Sequence, residues 1–417
     1  MKGKIIEEEV PLNSRKALWP NYSPPAELVF THGVGSELFS DSGEAYLDFL
    51  SGIAVTSFGH SHPYLNAALK QQADKLWHVS NLFRIPEAEV LATRLVEESF
   101  ANNVFFANSG AEAVEAGLKA IRGCHAARGD SKRTRIIGFS DSFHGRTMAT
   151  IAAAGNKSHM QNFVPGDQGF DHVEWGNLEA LKNVISDSTA GIILEPVQGE
   201  GGIRPVRQKF LASIRELCDV HGVLLMFDEV QCGIGRSGHL FAHQHYGINP
   251  DVMALAKGLG GGFPIGACLT TGEVGSAMVV GTHGSTFGGN PLATAVGNAV
   301  MDLLLEEGTL KKVVEKGKYL KQELERLKIE HNDLLDSVHG LGLMIGLKCK
   351  MPCADLALSL RDNYLLVGQS GSNMVRLLPP LNVDQSELEK AIVSAILEKK
   401  TLFNKKLNSL NIVKKKF

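Results

Sequence analysis

Val223-Leu-Leu-Met-Phe-Asp228-Glu229 is an apolar run that ends abruptly in two carboxylates. Five uninterrupted aliphatic and aromatic residues suit a strand buried on both faces, the habit of a parallel sheet whose crossover helices cover both its sides. Ligands of open α/β sheets gather at the carboxyl ends of such strands, so Asp228 stands where a bound molecule would be met. Taken alone, an aspartate there is equally a loop or helix-capping residue.

Working outward, the same alternation repeats. Val104 to Ala107 precedes the amphipathic stretch Ala111 to Arg122, and Ile136 to Phe139 is another short apolar run. Ile192 to Leu194 leads through the helical pattern Lys209 to His221 back to Val223. This is the βαβ pattern of a mostly parallel sheet. Before it, Leu28 to Thr31, Glu37 to Phe39 and Ala45 to Phe49 read as a short meander, with Asp41-Ser-Gly43 as turn chemistry, and Pro63 opens a helix. After Pro291 come long helical patterns, Leu292 to Glu306 and Leu310 to Ile329. Leu341 to Leu347, Leu365 to Val367 and Val375 to Leu378 then read as strands, with a closing helix from Ser386. The expected fold class is α/β, with residues 63–302 as a large domain and residues 1–62 and 303–417 together forming a smaller α+β domain.

A chain of 417 residues has room for that division. Its 44% hydrophobic and 21% charged content is ordinary for a globular protein. A formal charge of −3 gives no long-range attraction to nucleic acid or an anionic membrane, so recognition of an anion has to be local. The basic run from Lys399 to Phe417 reads as a solvated helix end. No apolar stretch approaches the ~20 residues of a spanning helix, and Glu7 to Glu9 occupy the place where a secretory signal needs apolar residues. A cytoplasmic protein is expected. The six cysteines show no metal or disulfide spacing, and Cys349 and Cys353, separated by Pro352, are expected as loop thiols. No metal site is expected.

Chemistry enters with a second stretch, Ala254-Leu-Ala-Lys257-Gly-Leu-Gly-Gly-Gly262, which sets one lysine between an apolar run and a glycine-rich loop. Glycines let the backbone approach a ligand closely. Desolvation there lowers the pKa of a lysine and favours the neutral amine that a Schiff base needs. A Schiff-base lysine paired with an aspartate is the apparatus that holds pyridoxal 5′-phosphate (PLP), the carboxylate keeping the ring nitrogen protonated. For the phosphate, Asn108-Ser109-Gly110-Ala111-Glu112 offers the Ser109 hydroxyl and the Gly110 and Ala111 amides at a helix start, although Ser-Gly before a helix is also a commonplace cap. Phe143 in Phe143-His144-Gly145-Arg146 can stack on a ring, and Arg146 can fork onto a carboxylate. Arg376 lies inside an apolar strand and is costly there without a partner. His60 and His62 read as structural turn histidines, Cys232 as a packing residue, and Gly258 to Gly262 as neither a phosphate loop nor a dinucleotide fingerprint.

With these residues in order, the chain resembles the class III (subgroup II) aminotransferases of PLP fold type I from about Leu28 to Leu397. The motifs that carry the resemblance are Asn108-Ser-Gly-Ala-Glu112, Phe143-His-Gly-Arg-Thr147, Glu195-Pro-Val-Gln-Gly-Glu-Gly201, Asp228-Glu-Val-Gln231, Gly233-Ile-Gly-Arg-Ser237, Ala256-Lys-Gly258 and His283-Gly-Ser-Thr-Phe-Gly-Gly-Asn-Pro291. Within the class, the second and last are most similar to the enzymes acting on N2-acetylornithine. The resemblance implies a homodimer that moves the terminal amino group of N2-acetyl-L-ornithine to 2-oxoglutarate, giving glutamate, in arginine biosynthesis. Succinyl-diaminopimelate, ornithine or GABA are alternative amines, and a non-catalytic PLP-fold binding protein is the remaining alternative. It also implies roles: Lys257 as Schiff base and proton shuttle, Asp228 on the ring nitrogen, Gln231 on the phenolic oxygen, and Phe143 with His144 at the ring. Ser109, Gly110 and Ala111 would hold the phosphate, with Thr286 from the neighbouring subunit. Arg146 and Arg376 would clamp carboxylates, with Ser285 and Glu200 also at the substrate, Glu200 as a switch on Arg376. Gln369-Ser-Gly-Ser372 departs from the family pattern ahead of Arg376.

Overall fold

The structure is a computed structural model that describes residues 17–163 and 166–392. The segments Met1 to Val10 and Lys399 to Phe417 lie outside the described residues. At the centre is a seven-stranded sheet. Across it run Asn103–Ala107, Gly266–Thr270, Val252–Leu255, Leu224–Asp228, Thr189–Leu194, Arg135–Phe139 and Phe170–Val173. From Val252–Leu255 to Phe170–Val173 every pairing is parallel. Gly266–Thr270 runs antiparallel to both its neighbours. Neither Gly266–Thr270 nor Phe170–Val173 is expected from the sequence. The first follows a glycine loop, and the second carries Asp171 and His172 where a buried strand would be apolar.

The Val223 run behaves as its composition demands. Leu224 and Met226 enter one apolar cluster with the helix Gly110–Ala127, while Leu225 and Phe227 enter another with the helix Gln208–His221. That is the period-two alternation of a strand covered on both sides, and each such side chain contributes about 1.5–3 kcal/mol by leaving water. Register then sets the chemistry. Asp228 lies opposite Ala254, and the neighbouring strand ends at Leu255, two residues before Lys257, on the same edge of the sheet.

The two chain ends meet in a second sheet, where Phe30–Val34, Glu37–Ser40 and Ala45–Asp48 form the meander and Leu365–Leu366 joins it in parallel. A third sheet is antiparallel, ordered Leu335–Leu341, Met344–Cys349, Met374–Leu377 and Gly368–Ser370. Arg376 pairs with Gly346 on one side and Gly368 on the other. A Cβ at Gly368 would sit 3.2 Å from Arg376 Nε, so glycine there makes room for the guanidinium. The long helices Pro291–Leu305 and Thr309–Glu330 fall within a residue of expectation. The closing helix is under way by Gln385.

One expectation is corrected. Cys349 ends a buried strand and Cys353 opens the helix Cys353–Asp362, so neither is a loop thiol. Burial pushes the Cys349 thiol up to about 11. His60 is the anchor the turn reading implied: its Nε2 lies 2.8 Å from Asp48 Oδ2, while Asp48 Oδ1 accepts from the Leu50 and Ser51 amides. Among the described residues no helix is long and apolar enough to cross a membrane, and no group of three or more His, Cys, Asp or Glu could hold a metal ion.

Candidate active site

At the carboxyl edge of the central sheet lies a cavity of about 330 Å³. Eight of the nine residues expected around a cofactor line it: Ser109, Gly110, Ala111, Phe143, His144, Asp228, Gln231 and Lys257. The ninth, Thr286, is exposed on its loop and is absent from the lining of this chain.

Asp228 is 3% exposed. Its Oδ2 lies 2.8 Å from His144 Nδ1, and its Oδ1 accepts from the Val230 amide at 3.0 Å. Burial by itself pushes the His144 imidazole down. The hydrogen bond to Asp228 and the charges of Asp228 and Glu195 outweigh it, so the net shift is upward. His144 orients the Asp228 carboxylate from one side, and the carboxylate oxygens keep lone pairs for a further N–H donor.

Lys257 lies two residues past the end of the strand Val252–Leu255. Its backbone is left-handed at φ 46°, unusual for a residue with a side chain, and it starts the short turn Lys257–Gly260. Burial lowers the amine below the ordinary lysine value, which favours the neutral nucleophile.

The helix Gly110–Ala127 also begins at this cavity. Its N-cap Ser109 accepts from the Glu112 amide at 3.2 Å, and the Gly110 and Ala111 amides belong to the first turn. An 18-residue helix aimed in this way presents unpaired amides and a positive dipole end to an anion. Gly110 must lack a side chain, since a Cβ would come within 2.7 Å of Val230 Cγ1.

Arg376 is buried, and its charge is paired through Nη1, while its Nε has no partner among the described residues. Nη1 donates to Glu200 Oε1 and, at 3.1 Å, to Gln231 Oε1. Gln231 Nε2 lies 3.5 Å from the same Glu200 oxygen, so the three side chains form one group beside the cavity that Gln231 lines. Arg146 is exposed, with its guanidinium carbon 5.5 Å from the centre of the Phe143 ring. Ser285 is engaged within its own chain: its hydroxyl accepts from Gly288 N at 2.9 Å and from Asn108 Nδ2 at 3.3 Å.

Sequence reasoning missed Glu195. It lines the cavity, is 4% exposed, and accepts from Phe143 N at 3.0 Å and Gly199 N at 2.9 Å. Burial is the main cause that pushes its carboxyl up to about 7. Glu195 stands inside a quoted motif, but nothing in its spacing says that its carboxylate turns inward. Val55, Val230 and Ile265 also line the cavity and carry no chemical signal in the sequence.

The comparison with known families decides what this geometry belongs to. The model of the family "Aminotransferase class-III" matches residues 19–398.

The chain belongs to the class III aminotransferases.

It is a transaminase with the α/β architecture of the fold type I PLP enzymes. The acetylornithine aminotransferase of Mesorhizobium japonicum is 52% identical over 91% of this chain and 95% of its own length. A Pseudomonas aeruginosa relative named as both succinylornithine transaminase and acetylornithine aminotransferase is 44% identical over 89% of this chain and 92% of itself. Among solved structures, ornithine aminotransferase from Toxoplasma gondii superimposes with a TM-score of 0.89 at 29% identity, covering 94% of both chains. A second structure of that protein, with partial occupancy of PLP at its active site, gives 0.87 at 30% identity, covering 92% of each. N-acetylornithine aminotransferase from Stenotrophomonas maltophilia gives 0.80 at 34% identity, covering 91% of this chain and 97% of that one. As a class III aminotransferase, the chain has its buried lysine, carboxylate and helix start disposed around one cavity.

Proposed function

We propose that this aminotransferase moves the terminal amino group of N2-acetyl-L-ornithine to 2-oxoglutarate, with PLP bound between Lys257, Asp228 and the start of the Gly110 helix. The donor set fits that cofactor: a desolvated amine, a buried carboxylate held by His144, and a helix N-terminus for a dianion, all on one cavity. When bound, PLP supplies an aldehyde and an electron-withdrawing ring that accepts the charge left as a substrate C–H proton departs.

The protein's own residues do the rest. Lys257 Nζ would be the covalent attachment point and a base able to carry a proton. Asp228 would favour a protonated ring nitrogen, Phe143 would cover a ring face, Gln231 would serve the phenolic oxygen, and Ser109, Gly110 and Ala111 would hold the phosphate. His144 holds Asp228. A homodimer is part of the same reading, in which Thr286, exposed on its loop, would complete the phosphate site of the neighbouring subunit. So is a cytosolic location, and so is a division into a large unit over residues 63–302 and a smaller one from both ends.

The observation that carries the substrate is the Glu200–Arg376 pair. 2-Oxoglutarate has a carboxylate beside its reacting carbon and another at its far end, suited to Arg376 and Arg146 respectively. Acetylornithine reacts at a terminal amine and has only the distant carboxylate, which leaves Arg376 in need of another anion. Glu200 is already there. Succinylornithine is a second reading, supported by the doubly named Pseudomonas relative. A comparison of kcat/KM for acetylornithine, succinylornithine, succinyl-diaminopimelate, ornithine and GABA at fixed 2-oxoglutarate tests this. Acetylornithine should lead, and a clear preference for unacylated ornithine or GABA would overturn the assignment.

A further inference from the structure

Residues 199–202 are held from two different sheets. From the central sheet, Glu195 follows the strand Thr189–Leu194 and accepts the Gly199 amide on one carboxylate oxygen and the Phe143 amide on the other. From the C-terminal sheet, Ser370 ends the strand Gly368–Ser370 and inserts its hydroxyl into the loop, donating to Gly199 O at 2.7 Å and accepting from Gly202 N at 3.0 Å. The Gly371 amide donates to Glu200 O at 2.8 Å. A Cβ at Gly199 would stand 2.4 Å from Gln231 Nε2, so the loop also packs directly on that side chain.

We propose that Glu195 and Ser370 are positioning residues that hold 199–202 as a rigid platform, so that the Glu200 side chain alone can leave Arg376. Its side chain is 35% exposed, against 3% for Arg376, so the carboxylate has an exit and the guanidinium has none. Gly199 O also lies 3.5 Å from Arg376 Nη1. A loop that moved as a whole would therefore take Gly199 O and Glu200 Oε1 from the buried cation at once and leave it Gln231 Oε1 alone, and a buried guanidinium short of acceptors is costly. A rotamer change of Glu200 removes only one. Because the second oxygen of Glu195 holds Phe143, the same carboxylate ties the platform to the ring-facing side of the cavity.

The proposal rests on the role read for Glu200, and two measurements separate the failure of one from the failure of the other. Amide hydrogen exchange in peptides covering 198–203 of the apoprotein reports the platform alone. Ser370→Ala, which removes two hydrogen bonds to the loop, and Glu195→Gln, which weakens the one to Gly199, should each speed exchange there by roughly 5- to 10-fold or more. Unchanged exchange in both variants would overturn the platform. In the holoenzyme, each variant should slow the acetylornithine half-reaction by up to about 100-fold, as misplaced groups do, with the KM for 2-oxoglutarate little changed. Added to Glu200→Ala, Ser370→Ala should not slow that half-reaction further, because both act through one side chain. Multiplied effects would overturn the positioning role. If Glu200→Ala slows both halves alike while exchange rises as expected, the reading of Glu200 fails and the platform stands. Ser370→Ala removes one hydroxyl from a half-buried site and keeps the test open if Glu195→Gln accumulates poorly.

Discussion

Glu200 Oε1 accepts a hydrogen bond from Arg376 Nη1, and both side chains also meet Gln231, so the one arginine in the strand Met374–Leu377 has its charge answered. The arginine is buried and its partner is partly exposed. That asymmetry decides which of the two can move.

If Glu200 is the partner of Arg376 while an amine reacts, Glu200→Ala should slow the acetylornithine half-reaction by roughly 10- to 100-fold, the consequence of a buried charge left unpaired. The glutamate half-reaction should lose much less, since the substrate brings its own carboxylate. Stopped-flow absorbance of the cofactor measures the halves separately, and equal slowing would exclude the switch.

Lys257 must be neutral to bond an aldehyde, and burial lowers its pKa. Attachment of PLP to the apoprotein should therefore rise with pH to a half-point below 10.5, the ordinary lysine value. Lys257→Ala should fold, yet retain no cofactor on the chain after borohydride reduction. A half-point at or above 10.5, or cofactor fixed to the variant, contradicts the assignment.

For Asp228, replacement by asparagine should leave PLP bound but remove most of the rate in both halves, because an amide cannot hold a ring N–H⁺ as a carboxylate does. Unchanged single-turnover rates would rule this out.

His144 gives a separate signature in stability. Its folded pKa is raised above 6.5, so the stability its proton contributes is complete below pH 6.5 and is lost as pH rises through the folded value. The melting temperature of the wild type relative to His144→Gln should accordingly be highest in mild acid and converge at alkaline pH. A difference that grows with pH would reverse the sign and reject an imidazolium at this position.

Thr286 should serve a neighbouring site. Lys257→Ala and Thr286→Ala subunits, each weak alone, should regain activity when mixed, because one site of each hybrid keeps both residues. Full activity in a monomer at assay concentration would end that reading.

Much of this was legible in the sequence for physical reasons. A strand buried on both faces has to be continuously apolar, so Val223 to Phe227 announced a covered parallel sheet, and the ends of such strands announced Asp228 and Lys257. Helix starts carry capping residues, so Ser109 marked the start of the Gly110 helix. Arg376 announced that it needed a partner, because a guanidinium in an apolar strand cannot stand alone. What the partner was, and from where it came, only the tertiary structure decided. Arg376 and Glu200 are far apart in the chain, and the register of the C-terminal sheet, with glycines on both sides of Arg376, sets the guanidinium against a loop of the central sheet. Gly266–Thr270 takes its strand conformation from pairing between Asn103–Ala107 and Val252–Leu255, not from its own small side chains. Glu195 was invisible for the same reason. A glutamate on paper is a solvated charge, and only the two loops that close over it turn its oxygens toward Phe143 and Gly199. Local composition determines which segments can be buried, but the direction in which a polar side chain turns is set by contacts distant in sequence, and those exist only once the sheets have met.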